Sequence, residues 1–222
     1  MRDELITHTR ARARAWADHH HHTESAIARK LVSLFEIQDP AVASTDALLH
    51  KFDARRPPKI SLDEYIKRMV HYLTNIAFTE RKTHHDDHVH SDLACRYLIT
   101  ARMLVGRVQQ TKGLVLTPLN VHRFIIVGLL LASKILDDLD IGVAFFALLG
   151  GVDAAELVTL ESVFLDLVAY NLAVDERDFR RIYQSVLGQG DRMMSEDALD
   201  HCSIYSPLLE HDGVPPSIAN EV

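Results

Sequence analysis

Two charged side chains stand where charge is least expected. Lys134 follows the uncharged run from Phe124 to Ser133, one turn beyond Leu130 and Leu131. Glu161 interrupts the apolar stripe of Leu157, Leu160 and Phe164. Lysine and glutamate are almost never fully buried without a partner, because an isolated charge in the interior costs many kcal/mol. Two readings fit the spacing. Either the two charges pair with each other, at a surface completed by another protein, or both extend their heads into solvent. Asp137, Asp138 and Asp140 crowd the end of the same segment, where a helix already points negative charge. A solvated turn and a site for a cationic partner are both compatible with that run.

The histidines pose a metal question. His19 to His22 stand together, and His84, His85, His88 and His90 surround Asp86 and Asp87. Histidines three or four apart on a helix can bind zinc. His85-Asp86 is similar to the paired ligands of all-helical HD-type phosphohydrolases. That chemistry also needs a histidine upstream and an aspartate downstream on facing helices, and nothing in the sequence marks them. No metal or other cofactor is therefore expected. The His19–His22 run is set aside as a flexible or tag-like segment. A nucleophile elbow, a phosphate-cradling glycine loop and a CxxC pair are all absent from the sequence. Cys95 reads as a small buried hydrophobe. The expectation is a binding protein and not an enzyme.

The chain has 222 residues, 47% hydrophobic and 25% charged, with a formal net charge of −7. A net negative chain is a poor match for nucleic acid, whose phosphates need a basic surface. The longest apolar run is about half of the roughly 20 residues a bilayer span requires. No membrane partner is expected. Two cysteines suit a reducing compartment, and the N-terminus lacks the apolar core of a signal peptide, so cytoplasm or nucleus is expected. The last thirty residues carry six acids and no Lys or Arg, which reads as an extended acidic tail.

Helix signals are dense from Ser61 to Tyr183. Ser61 with Glu64 forms a capping box after Pro57-Pro58, opening a helix over about 61–77. A second helix is predicted over about 87–110, stopped at Lys112-Gly113. Thr117 can cap a third, with Pro118 in its first turn, where a missing amide hydrogen costs nothing. Its run Phe124 to Ala132 is apolar on all sides, so other helices must surround it. A short helix over 141–149 ends at Gly150-Gly151. Asp153 caps the next, whose stripe runs from Leu157 to Asn171, and Asp175 caps a sixth over 176–188. Helices before Pro40, bearing Ile27, Leu31, Leu34 and Phe35, are expected to pack outside this bundle. Arg55 to Lys59 reads as an exposed connection.

Leu119-Asn120-Val121-His122-Arg123-Phe124, Leu130 to Asp138, Leu149-Gly150-Gly151-Val152, and Glu156 through Glu161 to Leu165 together resemble the P/U-type, or phosphate-regulon-type, cyclins. The resemblance runs from about Ser61 to Tyr183. It implies an all-α fold with a single cyclin box, a five-helix bundle, flanked by N- and C-terminal helices. The expected divisions are an N-terminal extension over 1–56, the box over 57–188 and an acidic extension over 189–222. It also implies a partner, a cyclin-dependent serine/threonine kinase that the chain binds and activates. The family's kinase-contacting lysine and glutamate fall on Lys134 and Glu161. Leu131, Ile135, Leu165, Tyr170 and Leu172 would supply the apolar part of the docking face. The alternatives are a cyclin-fold adaptor that activates no kinase, and the metal-dependent phosphohydrolase. One departure stands out: Ala101 takes the place of an acidic residue in the family's second helix, which removes a partner for Arg68. The tryptophan of a substrate-docking motif is also missing from 61–77.

Overall fold

The structure, a computed structural model, describes residues 25–39, 46–80, 89–136 and 141–187. His19 to His22, His84 to His88, Asp137, Asp138, Asp140 and the acidic tail lie outside them. Among the described residues all regular structure is helical. α1 covers 25–32, and a single 3-10 turn covers Leu49–Phe52. α2 follows at Leu62–Glu80, α3 at Val89–Lys112, α4 at Val121–Leu136, α5 at Val143–Gly150, α6 at Ala154–Leu167 and α7 at Glu176–Leu187. No single helix among them is long and apolar enough to cross a membrane.

The helix starts follow local chemistry. The Ser61 amide and hydroxyl donate to Glu64 Oε2 at 3.1 and 2.9 Å, and the Glu64 amide donates back to Ser61 Oγ at 3.2 Å. That reciprocal box satisfies two amides that α2 would otherwise leave open. Thr117 Oγ1 accepts from the Leu119 amide, while Asn120 Oδ1 accepts from the Thr117 amide at 2.9 Å. Asp153 accepts from the amides of Ala155 and Glu156, and Asp175 from that of Asp178. α5 ends at Gly151, whose φ of +66° is left-handed and which glycine adopts without a Cβ clash.

α4 is the axis. Every residue from Phe124 to Ser133 is buried, and α3, α5 and α6 pack around it. Burying each Leu, Ile or Phe there contributes roughly 1.5–3 kcal/mol. Gly128 lets α3 approach closely, since a Cβ at that position would lie 3.0 Å from the Ala101 Cβ. The small residue at 101 therefore meets a small residue on α4, and the two helix backbones close the space between them. Arg68, half-buried, instead places its guanidinium 5.3 Å from the ring centroid of the buried Tyr65, a cation–π contact.

Two expectations need adjustment. The helix before the bundle flanks it, and its apolar side joins the core: Ile27, Ala28, Leu31 and Phe35 are buried in the same apolar cluster as α4. Arg102 holds that segment by donating to the Leu34 carbonyl, and the Gln38 amide donates to the Leu116 carbonyl at 2.8 Å. Residues 55–59 are exposed, as a connection should be. The stripe read from Leu157 to Asn171 is also too long. α6 ends at Leu167, because Ala169 (φ 50°) and Tyr170 (φ 57°) turn left-handed. Such a backbone costs roughly 1–2 kcal/mol per non-glycine residue, so surrounding contacts must hold it.

Candidate functional site

The last turn of α4 carries Lys134 and the middle of α6 carries Glu161. Their side chains meet, with Lys134 Nζ donating to Glu161 Oε1 at 2.5 Å. The burial is unequal. The Glu161 side chain is 12% exposed and that of Lys134 is 48% exposed. The two charges therefore pair with each other, while half of Lys134 remains in water. A pair so exposed contributes at most about 1 kcal/mol to the fold. Its geometry instead fixes a cation at the surface over a sheltered carboxylate.

The apolar neighbours divide by helix phase. Ile135, next to Lys134 in sequence, and Leu165, one turn after Glu161 and so on its helix face, are both half-buried. Tyr170 is 68% exposed and Leu172 half-buried, both in the loop that follows α6. The Tyr170 hydroxyl faces the Asp166 carboxylate, which raises its pKa. Leu131 differs from the expectation. At 2% exposure it lies in the core, beneath the surface, and forms the floor of the face without being free to touch a partner. The inward-facing side of α4 places it there, one turn before Lys134.

Sequence reading missed Val158 and Leu148. Val158 sits one turn before Glu161 on α6, 47% exposed, and Leu148 of α5 is 82% exposed. Neither breaks an apolar pattern, so only the packing of the helices distinguishes them from core residues.

The opposite end of α4 is anchored to the preceding chain. Arg123 donates to the Asp53 carbonyl at 3.2 Å and pairs with Glu156 at the start of α6 at 2.5 Å. Asn120 Nδ2 donates to the Val115 carbonyl at 3.1 Å. These contacts tie the start of α4 to the chain before it and to the start of α6. His122 lies nearby, its ring edge-on to Tyr65 with centroids 4.7 Å apart. Burial lowers its pKa, the Ile60 backbone partly opposes this, and Arg68 adds to the lowering.

An unfolded histidine takes up a proton with its ordinary pKa of about 6.5, so acid favours unfolding here. The contribution of a neutral His122 is complete above about pH 6.5 and is lost as the pH falls through the depressed folded value. The urea midpoint should accordingly drop between about pH 7.5 and pH 5.5, and drop less in His122→Phe, which keeps the ring contact. An equal drop in both chains would remove His122 as a cause.

Among the described residues no group of three or more His, Cys, Asp and Glu side chains could hold a metal ion. His85 and Asp86 lie outside those residues. Cys95 is buried. The face thus combines one fixed ion pair with partly exposed apolar side chains on the same helical bundle.

Comparison with known sequences says which family this helical bundle belongs to. The cyclin family model matches residues 2–172, so the chain belongs to the cyclin family. Within it, the chain is of the P/U type. It is 31% identical over 128 residues to Cyclin-U3-1 of Arabidopsis thaliana, covering 58% of this chain and 50% of that protein. Against Cyclin-U1-1 of the same plant it is 27% identical over 168 residues, 71% of each. Against Cyclin-P1-1 of Oryza sativa subsp. japonica it is 30% identical over 140 residues, 62% of this chain and 47% of that one. The alignments with Cyclin-U3-1 and Cyclin-P1-1 thus span about half the length of those relatives.

Proposed function

We propose that this chain is the regulatory subunit of a cyclin-dependent serine/threonine kinase, with no catalytic activity of its own. The observation that carries the reading is the Lys134–Glu161 pair, fixed at 2.5 Å on two core helices, with partly exposed Ile135 and Leu165 on the same helices and Tyr170 and Leu172 in the loop after α6. Membership of the cyclin family supports it. An apolar surface centred on one ion pair suits a kinase helix that carries both apolar and charged side chains.

The mechanism is positional. A rigid bundle presses on the mobile helix of the kinase, so that the kinase's own Lys–Glu pair closes and its activation loop orders. ATP, magnesium and phosphoryl transfer belong to the kinase, and neither nucleic acid nor a membrane enters the reaction. The place of action is the cytoplasm or the nucleus, where such a kinase meets its substrates.

The test is capture from cell lysate on the purified full chain, followed by mass spectrometry and a phosphoryl-transfer assay of the bound fraction. The expected result is a cyclin-dependent kinase whose activity rises on addition of the chain. A kinase that binds without activation would make the chain an adaptor, and the absence of any kinase would overturn the proposal.

A further inference from the structure

The loop between α6 and α7 is held from a distance. Arg107 lies on α3, one turn before its end, and reaches across to this loop. Its Nη1 donates to the Asn171 carbonyl at 2.5 Å and its Nη2 to the Ala173 carbonyl at 2.6 Å. Among the described residues no carboxylate pairs with Arg107, so the fork of its guanidinium is committed to backbone. A planar guanidinium grips two acceptors at a fixed spacing, which the compact ammonium of lysine cannot do.

The gripped loop has a backbone that ordinary residues avoid. Ala169 and Tyr170 are consecutive left-handed residues without a glycine between them. The Ala169, Tyr170 and Asn171 amides donate to the carbonyls of Asp166, Leu165 and Val168 at 3.1, 2.9 and 3.0 Å. Asn171 Oδ1 also accepts from the Ala173 amide at 3.3 Å. Backbone in this region persists only when its surroundings over-determine it. The clamp turns the 171 and 173 carbonyls toward α3, and Tyr170, between the end of α6 and the clamp, is left 68% exposed.

We propose that Arg107 is a positioning residue for docking: it sets the 168–174 loop in the shape that presents Tyr170 and Leu172 to the kinase. This rests on the kinase-binding reading above. Arg107 touches no partner in this role. It lowers the ordering cost that a loose loop would meet on binding, so affinity is gained by preorganisation.

The test uses the full chain with Arg107→Met, which keeps the length of the side chain and removes its donors, and with Arg107→Lys. Amide hydrogen exchange is read first, without a kinase. In Arg107→Met the amides of Ala169, Tyr170 and Asn171 should exchange roughly tenfold faster or more, with those of α4 unchanged, as local opening requires. Affinity for a purified cyclin-dependent kinase, chosen as the tightest binder of wild type from a panel, should fall about tenfold, mainly through faster dissociation. Arg107→Lys should recover only part of both effects. Unchanged exchange in the loop, or a loosened loop with wild-type affinity, overturns the proposal. A wild-type chain that binds no kinase of the panel overturns the docking role together with the reading it rests on, and the exchange result then still reports separately whether Arg107 holds the loop.

Discussion

Exchanging the charges of the central pair, Lys134→Glu together with Glu161→Lys, is expected to leave the chain folded and to weaken kinase binding by about 2–5 kcal/mol. That is roughly 30- to 5000-fold in affinity. The pair has two separable roles. Within the chain the swap preserves an ion pair of the same combined reach between α4 and α6, in place of the 2.5 Å contact. With one partner 48% exposed, that contact is worth at most about 1 kcal/mol, so the melting temperature should change little. Toward a partner the swap inverts the sign at both positions. A kinase surface complementary to the native pair then meets like charge, and docking removes the water that would have screened it. Titration calorimetry on the swapped chain beside wild type gives the affinity, and thermal melting by circular dichroism checks the fold. Wild-type affinity in a folded swap would mean that the pair is a surface feature with no part in docking.

Phe124→Ala carries the largest expected loss of stability, about 3–5 kcal/mol. The ring is fully buried in α4. It stacks on Phe52 at a centroid distance of 4.0 Å and meets Phe164 edge-on at 6.0 Å. Phe52 and Phe164 also meet, at 6.2 Å and 71°. One aromatic cluster thus joins the 3-10 turn, α4 and α6, and aromatic pairs add about 0.5–1.5 kcal/mol each beyond the area they bury. Removing the central ring leaves a cavity walled by two rigid rings that cannot collapse freely into it. Phe164 sits one turn from Glu161, so the same substitution should also loosen the docking face. Urea unfolding measures the loss, and a midpoint shift equivalent to less than about 1 kcal/mol would show that the three rings do not act together.

The helices were legible because their signals are local. Ser61 with Glu64, Asp153 and Asp175 each satisfy amides within three residues, and that chemistry acts wherever the rest of the chain goes. The end of α6 was not legible. Leu157, Leu160, Phe164 and Leu167 continue to Asn171 at helical spacing, yet the helix stops at Leu167, under two left-handed residues and a clamp from Arg107. Nothing near Asn171 in sequence announces an arginine 64 positions earlier. Leu131 shows the same limit from the other side, since only the packing of other helices leaves it 2% exposed while the Lys134 side chain three residues on is 48% exposed.

By itself, then, the sequence determined an all-helical bundle, its central helix, the starts of α2, α6 and α7, and the two charges out of place in apolar helices. Hydrophobic periodicity and capping depend on residues within a turn or two of each other, so they are written in linear order. The tertiary structure alone decided that Lys134 meets Glu161, that Leu131 is floor and Leu148 is surface, that Ala101 packs on Gly128, and that the N-terminal helix shares the core. Each of these depends on which face another helix covers, and that is set by the packing of segments tens of residues apart.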